Sequence, residues 1–522
     1  MSFQNIENKD ELQQRHVVSC FIFSVAKATP QVALFRRSEK VRTYQHRLAA
    51  IAGSIEADES PVKAAWRELE EETTLTHQNL ELWRCGKAFS FSDPSVGRRW
   101  TIYPFAFRFK ARQEGVEEQV IRLNWEHEGW GWYNPMEVLA EQFDGVPRLE
   151  DSLRRVLFEL DFNEQASQAL QSCLEELKSD HQSGSHELTS IALKGFRDVL
   201  GHLKGDSNWW ETSRTAAWHI WKNGRESMSA ATFNALLAVL DDMKRLTGQD
   251  GDKKTWWELT LSIVDRHLER RRATPILIKN SFVSYLRDFL YSTGTQSPES
   301  LTILTLSASS TIRDSILDAF AATQIPQLDL RILESRPLYE GATMASSLLS
   351  EFQAKFQSSD RSFKLNIYTD ASAAFASTGV DLVLLGADQI SSSGWVKNKM
   401  GSLPAVLSAK FVSPETNILV LSGIEKISQP GMASEDEVEE NDPSELMGSW
   451  LSTNVKGVNL LHDDGQPFSA SENCTAYVRN VYFEWVPVNL IDAYICEEGT
   501  LDVAAIHAKA KRVQQQAEQY FG

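Results

Sequence analysis

The segment that most constrains this chain is GSIEADESPVKAAWRELEEETTL, at residues 53–75. Ser60 suits the N-cap of a helix, and Pro61 suits the first helical position, where its missing N–H costs nothing. The segment therefore predicts a helix over residues 61–72 that follows a loop and carries a dense acidic run. Such a helix either faces solvent or presents its acids to something positively charged.

The acidic side chains of this helix are predicted to share one face. Glu68, Glu71 and Glu72 stand at i, i+3 and i+4, a spacing that stacks their carboxylates. Like charges this close repel one another unless a cation lies among them, and hard oxygen ligands favour Mg²⁺ or Mn²⁺ over softer metals. Taken alone, the three glutamates are more typical of a solvated surface, so the distinction rests on the residues around them.

Eight residues of the segment fall in register with the Nudix box, G-x5-E-x7-R-E-U-x-E-E-x-G-U, in which U is aliphatic. They are Gly53, Glu59, Arg67, Glu68, Leu69, Glu71, Glu72 and Leu75. Residues 15–150 therefore resemble a Nudix hydrolase domain, whose fold is an α/β/α sandwich. Thr74 departs from the pattern, because the family has glycine there for a left-handed turn that a β-branched residue resists. The end of the helix is expected to differ slightly.

The Nudix resemblance implies roles for the residues of the box. Glu68, Glu71 and Glu72 would coordinate Mg²⁺ or Mn²⁺, and Arg67 would orient a glutamate through a salt bridge. The implied reaction is attack of water on a phosphorus of a nucleoside diphosphate linked to another group, with the metal neutralising phosphate charge. The expected substrate is a nucleotide-sugar or another diphosphate metabolite.

Residues outside the box supply further candidates. Glu126 and Glu128, in NWEHEGWGW, are candidates for an additional base, which the family often takes from another loop. Trp130 and Trp132 could stack on a nucleobase, although an aromatic core is the commoner place for them. Four arginines could meet phosphates but are more typical of neutral surface: Arg36, Arg37, Arg98 and Arg99.

Length and hydrophobic pattern predict three domains, because 522 residues are too many for one ordinary core. The Nudix-like domain at 15–150 is followed by purely helical spacing over 151–291 and by a small polar linker at 292–300. Over 301–522 helix-like segments alternate with short apolar runs, at 301–306, 328–333, 365–368, 382–385 and 418–421. This rhythm indicates βαβ units around a parallel sheet. The predicted fold class is α/β multidomain: a Nudix sandwich, a helical domain and a Rossmann-like domain.

The second informative segment is VDLVLLGADQISSSGWVKNKMGSLPAVLSAK, at residues 380–410. It predicts a buried parallel strand that ends at Gly386, with Asp388 just beyond the carboxyl end, where ligand sites of open α/β sheets form. Asn398 and Lys399 are expected at the start of the next helix. A lysine and backbone amides at a helix N-terminus suit an anionic group such as phosphate. A purely structural loop is the alternative.

Several parts of this region resemble one superfamily, that of translation initiation factor 2B alpha, beta and delta subunits, methylthioribose-1-phosphate isomerase and ribose-1,5-bisphosphate isomerase. The matching residues are Gly386-Ala387-Asp388, Gly394, Asn398-Lys399-Met400-Gly401, Glu334-Ser335-Arg336-Pro337, Glu340-Gly341-Ala342 and Pro487, Ile491, Glu497-Glu498-Gly499. The resemblance extends over about residues 190–515. It implies a helical N-terminal part, a Rossmann-like C-terminal part and a homodimer formed through the latter.

One residue bears most on whether this resemblance includes isomerase activity. The isomerases move protons with a cysteine and an aspartate; Asp388 matches the aspartate, whereas Ser307 stands where the cysteine belongs. Because a hydroxyl ionises far less readily than a thiol, a sugar-phosphate-binding or assembly domain is favoured over a working isomerase. The resemblance places the side chains that would contact substrate at Arg225, Ser307, Arg336, Asn398 and Lys399.

Composition limits the classes of partner that the protein is expected to bind and indicates its cellular compartment. A net charge of −18 with no basic stripe disfavours direct binding to nucleic acid or to an anionic membrane. No apolar run reaches the roughly 18 residues that span a bilayer. The five scattered cysteines are typical of reduced thiols, so a cytoplasmic protein is expected. The acidic stretch at 435–442 is expected to be a solvated loop.

These features lead to one hypothesis with two alternatives. The leading hypothesis is a fusion of a Mg²⁺-dependent Nudix hydrolase with a domain that binds a sugar phosphate. The first alternative is a sugar-1-phosphate aldose–ketose isomerase with an ancillary Nudix domain. The second is a regulatory or assembly protein of the translation-factor type.

Overall fold

The computed structural model describes most of the chain. The described residues are 12–24, 30–110, 120–180, 183–225, 229–247, 253–291, 299–357, 360–431, 440–461, 468–471 and 474–522. Most of the predicted linker at 292–300 and of the predicted acidic loop at 435–442 lies outside these ranges. Among the helices within them, none has both the length and the apolar character that a bilayer span requires.

The chain divides into two compact units. The first comprises Met1–Gln182 and Ile191–Ser229, and the second comprises Ser183–Ser190 and Ala230–Gly522. The described parts of the segment from 151 to 291 are mainly helical, and they are shared between the units, since Ser183–Ser190 and the residues from Ala230 onward belong to the second. The predicted domain limits of 15–150, 151–291 and 301–522 stay a prediction.

A seven-stranded mixed sheet forms the centre of the first unit. Its order is β3-β2-β1-β6-β4, with β5 also paired to β6 and β7 to β2. Strands β1 and β6 run parallel, and the other pairs are antiparallel. The strands are β1 (Gln13–Ser24), β2 (Gln31–Arg37), β3 (Leu48–Ala49), β4 (Leu80–Cys85), β5 (Phe89–Asp93), β6 (Arg98–Phe109) and β7 (His127–Tyr133).

Helices cover both faces of this sheet because β1 alternates its buried side chains between two cores. Val18, Cys20 and Ile22 join the core that contains Ala65 and Leu69 of α1. Phe21 and Phe23 join the core that contains Leu149, Leu153 and Val156 of α3. The first helices are α1 (Pro61–Thr73), α2 (Pro135–Val138) and α3 (Leu149–Val156). The predicted sandwich is confirmed.

Further helices follow in the first unit, and side chains of two of them contact β4, the strand at one edge of the sheet. The Nδ2 of Asn223 donates to the carbonyl of Cys85 at 2.9 Å, and the N–H of Cys85 donates to Oδ1 of Asn223 at 2.6 Å. Arg84, which is buried, donates to Glu159 and to Gln171. The helices are α4 (Glu164–Ser179), α5 (Ser185–His202), whose first residues belong to the second unit, and α6 (Trp209–Asn223).

The second unit contains a seven-stranded sheet of order β10-β9-β8-β11-β14-β20-β21. All pairs are parallel except β20 with β21. The strands are β8 (Ser300–Leu306), β9 (Gln327–Leu333), β10 (Ser362–Tyr368), β11 (Leu382–Leu385), β14 (Asn417–Leu421), β20 (Ala493–Cys496) and β21 (Gly499–Leu501). The five predicted apolar runs all lie in this sheet, which confirms the predicted Rossmann-like parallel sheet.

Short sheets complete the second unit. They contain β12 (Gln389–Ile390), β13 (Val396–Lys399), β15 (Glu440–Asn441), β16 (Phe468–Ser471), β17 (Cys474–Ala476), β18 (Asn480–Val481) and β19 (Phe483–Val486). The prediction that Asn398 and Lys399 begin a helix is wrong. They end β13, which is paired to β19, and the next helix begins at Ser402.

Helices lie on both faces of the parallel sheet. Residues of α8, α9 and α10 share one core with it, and residues of α11, α12 and α14 share the other. The helices are α7 (Ser229–Thr247), α8 (Lys253–Tyr291), α9 (Ser310–Ala321), α10 (Glu340–Phe356), α11 (Ala373–Ala376), α12 (Ser402–Val412), α13 (Ser444–Ser452) and α14 (Val503–Phe521). The predicted α/β multidomain fold class is confirmed.

Candidate functional site

The acidic helix α1 forms for the reasons its sequence indicates. Ser60 is extended and its hydroxyl accepts from the N–H of Lys63 at 3.4 Å, while Pro61 takes the first helical position. The helix ends at Thr73, and Thr74 adopts the left-handed conformation with φ 62°. Thr74 therefore makes the turn for which glycine was expected, with its N–H donating to the carbonyl of Glu70.

Two of the three glutamates point inward and one points outward. Glu68 and Glu72 are buried, whereas the side chain of Glu71 is 58% exposed. Burial raises the pKa of Glu68 to about 7, with the hydrogen bond from Arg67 opposing the shift and the charge of Glu72 contributing to it. Burial, followed by the charge of Glu126, raises the pKa of Glu72 to about 8. A positive charge placed here would relieve both costs.

Gly53 leaves room for the buried carboxylate of Glu68. A Cβ added at Gly53 would lie 1.9 Å from the carboxyl carbon of Glu68, which is closer than any real contact. The glycine at the start of the box therefore allows the backbone of the preceding loop to approach the acid directly.

Arg67 connects the loop to the helix. Its Nε and Nη2 each lie 3.0 Å from an oxygen of Glu59, and Nη2 also donates to the carbonyl of Ser54. Its Nη1 lies 2.7 Å from Glu68 Oε1 and 3.3 Å from Glu71 Oε2. One guanidinium thus fixes three carboxylates, through the fork geometry that distinguishes arginine from lysine.

Glu72 has one partnered oxygen and one orphan. Its Oε2 pairs with Nε2 of His127, on β7. Burial, followed by the charge of Arg37, lowers the pKa of His127 to about 4. The other oxygen, Oε1, is buried and accepts no hydrogen bond within the described part of the chain. A buried carboxylate oxygen without a partner calls for an explanation.

The two candidate bases are placed differently. Glu126 lines the same cavity as Glu68 and Glu71. Glu128 instead pairs with Nδ1 of His46 at 3.1 Å. Of the two, Glu126 has the better position for chemistry at the acidic helix.

The cavity beside the acidic helix has a volume of about 410 Å³. Its lining combines carboxylates, arginines and aromatic rings, namely Glu68, Glu71, Glu126, Arg37, Arg98, Tyr44, Phe91 and Trp100. Trp130 and Trp132 pack against the core that includes Phe35 and Phe109, which fits the structural role that the sequence favoured for them.

The acidic residues suit a divalent cation without forming a finished site. In the ranges that the structure describes, no three His, Cys, Asp or Glu side chains converge closely enough to hold an ion. Arg67 contacts both Glu68 and Glu71 and supplies the positive charge. The donors are nevertheless hard oxygens, and the orphan Oε1 of Glu72 can accept a cation.

A second candidate site lies at the switch point of the parallel sheet. The chain runs from β8 to β10 in one direction and from β11 to β20 in the other, so the crevice opens at the carboxyl ends of β8 and β11. Ser307 follows β8 and Asp388 follows β11, which places both predicted residues at this edge. A Cβ on Gly386 would lie 3.4 Å from the hydroxyl of Ser309 and 3.6 Å from Oδ1 of Asn398.

Ser307 is buried with positive φ, and its N–H donates to the hydroxyl of Ser335 at 2.7 Å. Asp370 accepts from the backbone N–H groups of Ser335 and Arg336, at 2.9 and 2.8 Å. The guanidinium of Arg336 donates to Glu334 at 3.0 Å. The loops after β8 and β9 are therefore joined by a fixed network.

The anion position at the start of α12 is filled from within the protein. The carboxylate of Glu484, opposite Asn398 in the sheet register, accepts from the N–H groups of Gly401 at 2.6 Å and Leu403 at 3.1 Å. Lys399 lies 3.1 Å from Glu340. Burial raises the pKa of Glu484, against these hydrogen bonds. Lys399 and the backbone amides at the start of α12, which were expected to bind a phosphate, thus both have carboxylate partners from within the protein.

The remaining predicted residues have clear positions. Asn398 is buried and donates to the hydroxyl of Ser402 at 2.9 Å. Arg225 belongs to the first unit, where it donates to the carbonyl of Asp180. Cys496 is buried at the end of β20, and burial raises its pKa to about 11, so its thiol does not ionise near neutral pH.

Sequence reasoning missed several contributors to these sites. His127 carried a signal, since it lies between the two candidate glutamates on an alternating strand. Tyr44 and Trp100 carried none, because strand pairing and a loop bring them to the cavity. Glu484 lies 83 residues from its partner Gly401, and nothing local marks it.

Comparison with known families gives matches to two parts of the chain. Residues 13–156 match the NUDIX domain, and residues 287–503 match the Initiation factor 2 subunit family. The chain thus matches both families that the sequence resembles.

Curated relatives resemble only part of the chain. A methylthioribose-1-phosphate isomerase of Geobacillus kaustophilus is 28% identical over 34% of this chain and 42% of its own length. One from Desulforamulus reducens is 28% identical over 32% of this chain and 41% of its own length. The chain thus spans less than half the length of these relatives.

Solved structures are similar at low identity. Translation initiation factor eIF-2B of Pyrococcus horikoshii is 18% identical, with a TM-score of 0.41, covering 65% of this chain and 98% of that one. The beta subunit of eIF2B from Chaetomium thermophilum is 13% identical, with a TM-score of 0.45, covering 68% of this chain and 94% of that one.

Proposed function

We propose that this chain, which joins a NUDIX domain to an Initiation factor 2 subunit family domain, is a hydrolase of a diphosphate-containing metabolite. The proposed substrate is a nucleoside diphosphate linked to a second group, and the proposed cofactor is Mg²⁺ or Mn²⁺. The reaction is attack of water on a phosphorus, which separates the two halves of the substrate.

The observation that carries this proposal is the state of Glu72. Its Oε1 is buried, lacks a hydrogen bond within the described residues, and lies beside a second buried carboxyl, Glu68. A solvated surface helix has no reason to bury two acids side by side, since each burial costs free energy. A bound cation would offset this cost, so a cation site explains why both acids are buried.

The residues of the box, together with Glu126, would have different roles in the proposed reaction. Glu68, Glu71 and Glu72 would turn their carboxylates together to hold the ion, which would supply positive charge against the phosphate oxygens. Arg67 would keep Glu59, Glu68 and Glu71 in place. Glu126, on the cavity wall, would accept the proton of the attacking water.

The test is phosphate or nucleotide release by the full chain with and without Mg²⁺. Glu72→Gln should lower kcat by at least about 100-fold, because it removes one charged oxygen from the reacting centre. Glu70→Gln is the matched control, since Glu70 is exposed on the same helix. An unchanged rate in Glu72→Gln would defeat the proposal.

A second function is proposed for the switch point of the parallel sheet, namely binding of a sugar phosphate. The observation that favours it is the convergence of Ser307 and Asp388 at the carboxyl ends of β8 and β11. Arg336, Asn398 and Lys399 would complete the site. Ser307 in place of a thiol favours binding over isomerisation, and the buried Cys496 supplies no substitute.

Calorimetry with ribose 5-phosphate tests this second function, and Lys399→Ala should abolish binding. Lys364→Ala, in β10 of the same sheet, is the control. Product analysis after incubation with methylthioribose 1-phosphate or ribose 1,5-bisphosphate separates a binder from an isomerase. Formation of a ketose would support the isomerase alternative.

We also propose that two copies pair through the second unit. The apolar side chains of Phe375, Leu407 and Phe411 are exposed on α11 and α12, with Phe411 88% exposed. Sedimentation of Phe411→Glu should show a smaller species than the wild type. Co-purification with initiation-factor subunits would instead support the translation-factor alternative.

A further inference from the structure

The cavity beside the acidic helix also contains three aromatic residues that the proposed hydrolysis does not use. Tyr44, Phe91 and Trp100, here called the aromatic wall, line it together with the glutamates. Phe91 and Trp100 stand opposite each other in the register of β5 and β6. The rings of Tyr44 and Trp100 have centroids 6.4 Å apart at an angle of 45°.

The aromatic wall is held in place by its surroundings. The hydroxyl of Tyr44 donates to Asp93 at 2.8 Å, which ties the loop after β2 to the end of β5. Trp100 is buried within the twelve-residue strand β6. A ligand that stacks here would meet a surface that is already ordered, so less conformational entropy would be lost on binding.

Two arginines belong to the same cavity. The guanidinium of Arg98 lies 5.2 Å from the ring centroid of Trp100. Arg37 donates from Nε to the carbonyl of Thr43 at 3.1 Å, so its side chain lies beside the residue that precedes Tyr44. The charge of Arg37 is also felt by Glu72 and His127. The two guanidinium groups therefore place positive charge near both the acidic residues and the aromatic rings of the cavity.

We infer that the aromatic wall receives the nucleobase of the substrate, while Arg37 and Arg98 contact its phosphates. This inference rests on the proposed hydrolase function and adds which residues bind the base and the phosphates of its substrate. A cavity of about 410 Å³ falls within the range of small-molecule sites. A flat heteroaromatic ring uses the π-faces and tolerates the neighbouring guanidinium groups, whereas an isoprenyl chain or a bare polyphosphate makes no use of the wall.

The experiment compares substrates with and without a base, using the full chain and Mg²⁺. ADP-ribose and UDP-glucose carry a base; geranyl diphosphate and tripolyphosphate do not. Trp100→Leu and Phe91→Leu should each raise KM for the better base-bearing substrate about tenfold or more, because one stacking contact is lost. The kcat should change little, since the wall does not touch the reacting phosphorus.

Phe89→Leu is the matched control. Phe89 lies two residues from Phe91 on the same strand, with ring centroids 6.2 Å apart, and is not part of the cavity lining. It should leave KM within about twofold of the wild type. Phe91→Leu also keeps the test decisive should the buried Trp100 be needed for folding, which thermal unfolding of each variant reports.

The possible results distinguish failure of the hydrolase proposal from failure of the base-binding inference. Wild-type protein that hydrolyses none of the four compounds overturns the hydrolase proposal itself. Hydrolysis of geranyl diphosphate or tripolyphosphate as efficiently as of the base-bearing compounds overturns the inference and leaves the hydrolase standing. An equal KM in Phe91→Leu and Phe89→Leu overturns it as well.

Discussion

Glu484 accepts a hydrogen bond from the backbone N–H of Gly401, with 2.6 Å between carboxylate oxygen and nitrogen. The same carboxylate accepts from the N–H of Leu403, so it caps the positive end of α12. An anion expected from outside is thus already present as a side chain. The second unit has its own carboxylate at the position where a ligand phosphate was predicted.

Replacing Glu484 should therefore strengthen anion binding. Glu484→Gln keeps an oxygen that can accept from Gly401 but removes one negative charge beside the site. We expect ribose 5-phosphate to bind about fivefold more tightly or better, because repulsion between like charges is relieved. Calorimetry measures the change, with Glu498→Gln as a control on an exposed acid that pairs with Lys509. Equal dissociation constants in Glu484→Gln and wild type would show that α12 does not take part.

Arg67 should act as a positioning residue in the first unit. Arg67→Lys keeps the charge but loses the fork that reaches both oxygens of Glu59 and one oxygen of Glu68. We expect kcat to fall about 10- to 100-fold and Mn²⁺ affinity to weaken, as when groups that orient metal ligands are removed. Steady-state kinetics and Mn²⁺ titration measure the two effects. A variant with wild-type Mn²⁺ affinity and kcat would contradict this role.

The stability of the first unit should depend on the ion pair between the buried Arg84 and Glu159. Its side chain is 1% exposed, donates to both oxygens of Glu159, and lies 3.9 Å from the ring centroid of Phe158. Glu159→Ala leaves a buried cation short of its counterion and should cost about 2 kcal/mol of stability, less than a fully buried pair because Glu159 is partly exposed. Thermal unfolding measures the loss. Adding Arg84→Met should recover part of it, since the unpaired charge is then gone.

His219 should make the first unit sensitive to acid. The residue is fully buried, its Nδ1 pairs with the amide of Asn223 at 2.8 Å, and burial lowers its pKa to about 3, with the charge of Arg84 adding to the shift. Above pH 6.5 the ring is neutral in both folded and unfolded chains and has no effect. As the pH falls below 6.5 only the unfolded chain takes up the proton, so stability drops by about 1.4 kcal/mol per pH unit from this residue.

Thermal unfolding at pH 7 and pH 5 tests this dependence. His219→Leu removes the titrating ring and should show a smaller decrease in midpoint between the two pH values than the wild type. His127, whose pKa is also low, remains in the variant and leaves part of the slope. An identical decrease in variant and wild type would rule out His219 as a source of acid sensitivity.

Local patterns predicted the fold well, because each element carries its own signal. The N-cap of α1 at Ser60 and the buried strand at 382–385 are set by neighbouring residues, and both were predicted. The start of α12, at Ser402, was not predicted correctly. Val396–Lys399 is a strand because β19 pairs with it, and β19 lies more than 80 residues later.

The candidate sites divide in the same way. The glutamates of α1 and the arginine beside them follow from helical spacing, so sequence could place them on one helix. It could not show that Glu71 points outward, which depends on how α1 packs on the sheet. Nor could it show that His127 pairs with Glu72, which depends on how β7 returns to the sheet. Glu340 and Glu484 likewise reach Lys399 and Gly401 only through tertiary folding.

The amide of Asn223 bonds to Cys85 through both its donor and its acceptor, as a neighbouring strand would. Strand β4 is therefore covered at its outer side by a side chain that lies 67 residues beyond the last residue matched to the NUDIX domain. A fragment cut at Val156 would lose this cover and leave the polar backbone groups of β4 open to pairing with another molecule. Expression of the isolated fragment that matches the NUDIX domain should accordingly yield aggregates unless the fragment is extended to include α6.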